Sequence, residues 1–201
     1  MDVFVIPADS REGVGPTFDM KPSEFFRFCP RCGTGPHQPP TSNAFSCPSC
    51  QFRYFFNPAV AAAVFVRRTD GRVLLIRRAK DPGKGRLAPP GGFIDHGETA
   101  EIAAAREIRE EVGQEIRQIR FLCSQPNAYH YGEVTYPVLD LFFTACAADG
   151  ATAQVIEEVE SLEWVEPSSV VPDDLAFPSM QAAWRLWKES GFGESREPVD
   201  V

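Results

Sequence analysis

The sequence lacks an excess of positive charge, and it lacks a long apolar run. Its 201 residues contain 20 Lys and Arg against 28 Asp and Glu, which gives a net charge of -8 at pH 7. Non-specific binding to duplex DNA or to an anionic membrane depends on clustered cations, so this balance argues against both. No run approaches the roughly 20 apolar residues that a membrane-spanning helix needs. The first residues also lack the basic and apolar regions of a secretory signal, so we expect a cytoplasmic protein without membrane association.

The sequence does contain six cysteines, and four of them form two Cys-x-x-Cys pairs. Cys29 and Cys32 are separated by 14 residues from Cys47 and Cys50. Two such pairs can present four sulfurs to one tetrahedral ion, a spacing typical of a zinc ribbon. Because four thiolates leave no coordination position for water, the predicted Zn²⁺ is structural, and His37 is not expected to replace a cysteine.

The segment around these cysteines, residues 28–56, is rich in Pro, Gly and Ser and has too few aliphatic residues for a core of its own. Two disulfides are hard to reconcile with two Cys-Pro-x-Cys turns. Its aromatic residues, together with Arg31 and Arg53, could stack nucleic-acid bases, although aromatic residues in such number more often pack against a neighbouring domain. Both alternatives are open at this point.

After Pro58 the chain alternates predicted strands and helices, which indicates a mixed α/β domain. Residues 59–68 and 72–78 predict two buried strands in a hairpin, and Thr99 caps a helix that ends before Gly113. The apolar side of that helix is predicted to be Ile102, Ala105, Ile108 and Val112. Further strands are expected at residues 119–125, 135–147 and 161–166, and a second helix at 178–190. We therefore expect an N-terminal extension (1–27), a zinc ribbon (28–56), an α/β domain (57–190) and a tail (191–201).

Three carboxylates lie on one edge of the first predicted helix. At about 100° per residue, Glu107, Glu110 and Glu111 fall at roughly 0°, 300° and 40°, where like charges repel. Such a trio is costly unless cations bind it, and oxygen ligands suit Mg²⁺ or Mn²⁺. Solvated glutamates on an exposed face are the alternative. Gly91 and Gly92 precede the helix in a turn where backbone can approach a ligand.

Taken with Glu98 and Arg106, this stretch resembles the Nudix box, G-x5-E-x7-R-E-U-x-E-E-x-G-U with U aliphatic. The positions that match are Gly92, Glu98, Arg106, Glu107, Ile108, Glu110, Glu111 and Gly113. Gln114 replaces the final aliphatic residue, which weakens a packing contact and leaves the chemical positions intact.

The resemblance implies a Nudix α/β/α sandwich on a mixed sheet and hydrolysis of a nucleoside diphosphate derivative. It implies catalytic Mg²⁺ or Mn²⁺ at Glu107, Glu110 and Glu111, with Glu98 and Arg106 supporting the site. A further catalytic carboxylate is expected outside the box. We favour Glu158, with Glu157 and Glu160 as alternatives, and a solvated acidic loop is the competing interpretation.

A zinc ribbon before a Nudix domain is similar to the NADH pyrophosphatase branch of that family. The branch carries an S-Q-P-W-P-F-P-x-S array after the box. Here Ser124 and Gln125 begin that array, but its Trp and Phe are replaced, and Tyr129 and Tyr131 could supply an aromatic platform for substrate instead. Ordinary strand-edge positions are the alternative for both tyrosines.

Other side chains could also contact the substrate. Lys84 and Arg86 are the cations nearest the glycine turn and could contact phosphates, although most cations of this region are expected to face outward. His96 and His130 could touch substrate, but solvated loop positions are the more common role of such residues.

These features predict a metal-dependent hydrolase of substrates such as NADH, NAD or ADP-ribose. Decapping of NAD-capped RNA is a variant, because the bond cleaved is alike. A non-catalytic module that senses a nucleotide is the alternative from another class, and the intact carboxylate trio argues against it. The resemblance also implies a homodimer. The negative charge is concentrated in two segments, 92–115 and 157–166, each with a net charge of -5, and the rest of the chain is mildly basic.

Overall fold

A computed structural model describes residues 20–40, 43–148, 153–156 and 159–191. Most of the predicted N-terminal extension and all but the first residue of the predicted tail lie outside these ranges. Within them, neither helix is long and apolar enough to cross a membrane. The strands are β1 Ala44–Ser46, β2 Arg53–Phe55, β3 Ala59–Arg67, β4 Val73–Arg78, β5 Leu87–Ala88, β6 Gly91–Phe93, β7 Ile116–Tyr131, β8 Val134–Ala147 and β9 Val159–Val165. The α-helices of the described residues are α1 Ala100–Val112 and α2 Pro178–Glu189, and three single-turn 3-10 helices cover Pro22–Phe25, Pro167–Ser169 and Pro172–Asp174.

The N-terminal part forms a small unit with its own two-stranded antiparallel sheet, β1 and β2. Its core is a separate cluster built on Cys29, Phe45 and Cys47. Phe26 packs beside Phe45, with 5.7 Å between the ring centroids. Because aliphatic side chains are scarce here, aromatic rings and cysteine sulfurs supply the apolar contacts.

The remaining strands form one seven-stranded mixed sheet in which β3 is central. β3 pairs in parallel with β8, and β8 pairs with β7 in a long antiparallel hairpin. On the other side, β4 pairs with β5 and β9. Residues Ala62 to Val66 are all buried, although successive side chains point to opposite faces. Both faces of β3 are therefore covered, as the predicted sandwich requires.

The two helices supply this cover. α2 packs on one face through Trp184, whose ring lies 5.4 Å from that of Phe65 on β3. α1 packs against β3 and β6. α1 begins after Thr99, whose Oγ1 accepts a hydrogen bond from Ile102 N at 3.3 Å, and ends at Gly113 in the left-handed conformation, φ 62°. The predicted bounds of this helix are confirmed.

The predicted apolar side of α1 is partly wrong. Ile102 is 57% exposed, whereas Ala103, Ala104, Ile108 and Val112 are buried. The inward side of α1 differs from the predicted one because it includes Glu107 and Glu111. Both glutamates line a cavity inside the molecule. An apolar stripe alone cannot reveal that two carboxylates share the inward side.

The strands at residues 59–68 and 72–78 are confirmed, but they pair only beside their turn, at Arg67 and Val73. Farther from this turn, β3 pairs with β6 instead of β4, and Gly91 lies opposite Ala63. Gly91 has φ 150°, and a Cβ there would lie 2.1 Å from Ala62 O. Glycine therefore permits β6 to approach β3 where β4 turns away.

Candidate active site

The four cysteines of the two Cys-x-x-Cys pairs come together in the N-terminal unit. All four Sγ atoms lie within 4.8 Å of one another. Cys29 Sγ is 3.7 Å from Cys50 Sγ, and Cys32 Sγ is 3.7 Å from Cys47 Sγ. A disulfide would need about 2.0 Å, whereas four sulfurs at about 2.3 Å from a central Zn²⁺ are separated by about 3.8 Å. The spacing fits a tetrahedral zinc site.

Both cysteine turns have the same backbone geometry. Gly33 N donates to Cys29 O at 2.9 Å, and Gln51 N donates to Cys47 O at 3.0 Å. Gly33 and Gln51 both have positive φ, 72° and 61°. Thr34 adds a hydroxyl 3.3 Å from Cys32 Sγ, and this contact lowers the pKa of the Cys32 thiol to about 6. The Cys32 thiolate, the form that binds a metal, is thereby favoured at neutral pH, whereas burial and the neighbouring sulfurs raise the pKa of Cys50 to about 12.

Arg106 stands at the centre of the carboxylates of α1. Its Nε and Nη2 donate to Glu98 Oε1 and Oε2 at 2.8 and 2.9 Å. Its Nη1 donates to Glu107 Oε1 at 2.8 Å and to Glu110 Oε2 at 2.9 Å. A fifth bond, 3.1 Å long, reaches the Phe93 carbonyl. The guanidinium therefore joins α1 to the preceding loop and to β6.

The third carboxylate of the trio is bound by backbone. Gly91 N donates to Glu111 Oε2 at 2.9 Å. A Cβ on Gly92 would lie 2.6 Å from the Glu107 carboxylate, so only glycine leaves room for that group at β6. Both glycines thus place carboxylates, one by a hydrogen bond and one by the absence of a side chain.

The pKa of Glu107 is raised, chiefly because burial removes water from the carboxylate, and the charges of Glu110 and Asp95 add to the rise. Arg106 opposes it. In contrast, the hydrogen bonds from Arg106 lower the pKa of Glu98. Glu107, Glu110 and Glu111 provide only oxygen donors, the ligand type that Mg²⁺ and Mn²⁺ prefer. Glu107 and Glu110 share the Nη1 of Arg106, whereas Glu111 is bonded to Gly91 N.

A cavity of about 490 Å³ opens beside these groups. Glu107, Glu111, Gly91 and Gly92 line it on one side. Other lining residues include Phe93, Asn127, Tyr129, Tyr131, Asp140 and Phe177. The Phe93 and Tyr129 rings meet edge to face at 5.8 Å, and the Tyr129 and Phe177 rings lie 6.1 Å apart. Carboxylates and aromatic rings therefore share one cavity.

The structure brings together some of the predicted substrate contacts and leaves others apart. Tyr129 and Tyr131 lie on β7 and line the cavity, as do both glycines. Ser124 is exposed, and neither it nor Gln125 lines the cavity. Side chains alternate along β7, so Ser124 belongs to the other face of the strand from Asn127 and Tyr129.

The predicted cation and histidine contacts also lie outside the cavity. Arg86 donates to Asp173 O, and His130 Nδ1 lies 2.6 Å from Thr135 Oγ1. Lys84 and His96 are likewise not among the lining residues. Instead, Arg78 and Lys80 provide the cations of the cavity wall. The Arg78 guanidinium also lies 5.2 Å from the centroid of the Phe177 ring.

Two further positions concern the box and the extra carboxylate. Gln114, the departure from the box, is 1% exposed, and its Nε2 donates to Glu115 O at 2.9 Å. An amide thus fills the place of an aliphatic side chain. Glu158 and its alternative Glu157 lie outside the described residues. Glu160, the other alternative, is exposed on β9 and does not line the cavity.

Comparison with known proteins identifies the family. The NUDIX domain profile matches residues 57–184, well over half of the chain. This chain belongs to the Nudix family. The match includes the carboxylate helix, the glycine turn and the whole seven-stranded sheet.

Individual relatives agree with the Nudix assignment. The NAD-capped RNA hydrolase NudC of Deinococcus radiodurans is 32% identical over 146 residues, which cover 72% of this chain and 50% of that protein. This chain spans about half the length of the curated relatives it matches. A Nitrosomonas europaea Nudix hydrolase has the same fold, with TM-score 0.63 and 23% identity over 88% of this chain and 94% of that one. The Nudix domain of Shewanella oneidensis NrtR, solved with ADP ribose, has TM-score 0.57 and 24% identity over 68% and 90%.

Among the lining residues of the Nudix cavity that sequence reasoning missed are Phe93, Asn127 and Asp140. Asp140 lies inside an apolar run, LDLFF, where a lone carboxylate is expensive to bury without a purpose. A lone aspartate in an apolar run could therefore have indicated a functional residue. No sequence feature could have indicated Phe93, because its position follows only from the pairing of β6 with β3.

Proposed function

We propose that this chain hydrolyses the diphosphate of a nucleoside diphosphate derivative such as NADH, NAD or ADP-ribose. The main support for this proposal is that Glu107 and Glu111 lie in one cavity with a glycine turn and a set of aromatic rings. A diphosphate fits the first group once cations are present, and a planar base fits the second. Supporting the proposal, relatives about 31% identical are named NAD-capped RNA hydrolases.

In this proposal Glu107, Glu110 and Glu111 hold catalytic Mg²⁺ or Mn²⁺. When bound, the divalent ion neutralises diphosphate charge and acidifies water at the site. Arg106 and Glu98 are positioning residues, since each holds others in place through hydrogen bonds. Gly91 N fixes Glu111 by its bond to Oε2. The role of Glu158 as a further carboxylate stays a prediction.

The zinc ribbon, residues 28–56, is proposed to be a separate structural module with one Zn²⁺, placed before a hydrolase domain at 57–190. The 3.7 Å sulfur distances support this assignment. A homodimer, as the resemblance implies, also stays a prediction.

A second candidate substrate is the 5′ end of NAD-capped RNA. Its support, besides the names of the relatives, is the surface of the ribbon and of the residues just before it. Phe25, Phe28, Tyr54 and Phe55 are 45 to 59% exposed, and the Arg53 guanidinium lies 5.9 Å from the Phe55 ring centroid. Exposed rings beside a cation can stack on single-stranded bases.

One assay tests the proposal and its alternatives. Purified protein is incubated with Mg²⁺ or Mn²⁺ and NADH, NAD, ADP-ribose, dinucleoside polyphosphates or NAD-capped RNA. Glu111→Gln keeps an oxygen that can accept from Gly91 N but removes the charge, so we expect turnover to fall at least about 100-fold. Glu101→Gln, an exposed change on the same helix, is the control and is expected to retain activity.

The comparison with Glu111→Gln also separates an enzyme from a nucleotide-sensing module. Equal turnover by wild type and Glu111→Gln would contradict the assigned role of the carboxylates. No turnover of any compound, combined with tight binding of ADP-ribose, would favour the sensing module instead.

A further inference from the structure

Diphosphate hydrolysis leaves the buried carboxylate of Asp140, which lines the cavity, without a role. Its side chain is 6% exposed, yet it lines the cavity. Ser179 Oγ donates to Asp140 Oδ2 at 2.7 Å, and the Asn127 side chain provides a second hydrogen bond. Burial raises the pKa of Asp140, and both hydrogen bonds oppose the rise.

The surroundings of Asp140 oppose the effect of burial and stabilise the ionised carboxylate. Ser179 lies in the first turn of α2, which begins at Pro178, and a helix N-terminus stabilises a nearby negative charge. Charge-assisted hydrogen bonds to a carboxylate are stronger than neutral ones. An ionised carboxylate only accepts hydrogen bonds and has about four acceptor positions, of which two are used here. Positions therefore remain for donors that enter the cavity.

The register of the sheet places Asp140 in the same row as the aromatic part of the cavity. Asp140 on β8 pairs with Ala61 on β3, and Ala61 pairs with Phe93 on β6. Paired residues project to the same face of a sheet, so the small Ala61 leaves a gap between Phe93 and Asp140. The backbones of β6 and β8 lie two strand spacings of about 4.8 Å apart here, or about 10 Å, and the cavity among their side chains has a volume of about 490 Å³. Tyr129 and Phe177 border the same space.

We propose that Asp140 recognises the amino group of the substrate's base. The inference rests on the proposed function, since it takes the nucleotide as the occupant of the cavity. The ligand group must donate N–H to an acceptor, and it must be carried on a flat ring that the aromatic side chains can contact. Both the 6-amino group of adenine and the carboxamide of nicotinamide have this chemistry.

Analogues distinguish these two sources. Three substrates are compared by kcat/KM: NAD, nicotinamide hypoxanthine dinucleotide, which has a carbonyl oxygen in place of the adenine amino group, and 3-acetylpyridine adenine dinucleotide, which has a methyl group in place of the carboxamide nitrogen. A buried acceptor left without its donor costs about 10- to 100-fold in kcat/KM. Wild type should discriminate against one analogue by that factor and accept the other.

Variants then link the discrimination to Asp140. In Asp140→Ala the ratio between NAD and the rejected analogue should fall to about 1. In Asp140→Asn the oxygen stays bonded to Ser179 and Asn127, so the amide nitrogen faces the ligand. If adenine is the group recognised, this variant should prefer the hypoxanthine dinucleotide. Asp174→Asn, an exposed change in the turn before α2, is the control and should keep the wild-type ratio.

If Asp140 only connects β8 to α2 through its hydrogen bond with Ser179, its variants should melt at a lower temperature and keep the wild-type substrate ratio. That result would refute the proposal. Equal use of all three dinucleotides by wild type would refute it even if no variant folds. If wild type hydrolyses none of them and also none of the other compounds of the first assay, the proposed function fails. Calorimetric binding of AMP against IMP, and of nicotinamide mononucleotide against its acetylpyridine analogue, then decides: equal affinities within both pairs refute recognition by Asp140.

Discussion

Replacement of Gly92 by alanine tests how tightly the structure sets the position of Glu107. The added Cβ would lie 2.6 Å from Glu107 Cδ and Oε1 and 2.7 Å from Oε2. The Glu107 side chain is 15% exposed and is bonded to Arg106, so it cannot simply swing into solvent. Gly92 itself has no positive φ, so its backbone accepts alanine without strain.

The size of the effect follows from these distances. Ordinary van der Waals contact begins at 3.4 Å, so the carboxylate must move by about 0.8 Å. A misplacement of about 1 Å at a catalytic group can cost about 100-fold in rate. We therefore expect kcat/KM of Gly92→Ala to fall about 100-fold while its thermal stability changes little.

Gly91→Ala is the matched comparison. Its Cβ would meet backbone, Ala62 O at 2.1 Å, and the residue has φ 150°, so this variant should lose stability in a melting experiment. Steady-state kinetics with Mg²⁺ and a dinucleotide substrate, together with melting curves, measure both effects. If Gly92→Ala keeps activity within twofold of wild type, Glu107 is not held as tightly as the structure indicates.

Three further predictions concern stability and metal content. Native mass measurement should find one Zn²⁺ per chain, and Cys50→Ser should lose it; an intact disulfide without metal would contradict the ribbon assignment. Arg106 lowers the pKa of Glu98, so ionised Glu98 stabilises the fold above its unfolded-state pKa of about 4.3, and this stability is lost as the pH falls through the lower folded-state value. Melting curves from pH 3 to 7 should therefore depend less on pH in Arg106→Gln than in wild type, and an unchanged dependence would count against the pair. Ile108→Ala should cost about 3 kcal/mol in denaturant unfolding, whereas Ile102→Ala should cost less than about 0.5 kcal/mol; similar costs would place the buried side of α1 wrongly.

The sequence was most informative where chemistry requires fixed spacing. Two Cys-x-x-Cys pairs predict one tetrahedral group of sulfurs, and the structure brings the four sulfurs together. The helix that carries the trio begins at its Thr99 cap and ends at Gly113 because both signals are local. The hydrogen bonds of Arg106 also connect residues within one short stretch of chain, apart from its bond to Phe93 O.

Contacts between distant segments could not be predicted in this way. The cavity contains Phe93, Asp140 and Asn127 for two reasons. β6 takes the place of β4 as the partner of β3, and β7 extends as far as Tyr131. The sequence pattern predicted a strand that ended at residue 125, so it did not indicate which face of the sheet Tyr129 and Tyr131 would join. The exposed Ile102 shows the same limit, since a periodic apolar pattern does not register inward-facing carboxylates.

The parallel pairing of β3 with β8 has a consequence for the order of folding. Ala59 pairs with Val138, 79 positions later, so this central pairing closes a long loop before it gains contacts. The β7–β8 hairpin, in contrast, turns between Tyr131 and Val134 and needs no distant partner. We expect the hairpin to form early and the docking of β3 to limit the folding rate. The cavity, which is built from both, would then be completed only in the last step of folding.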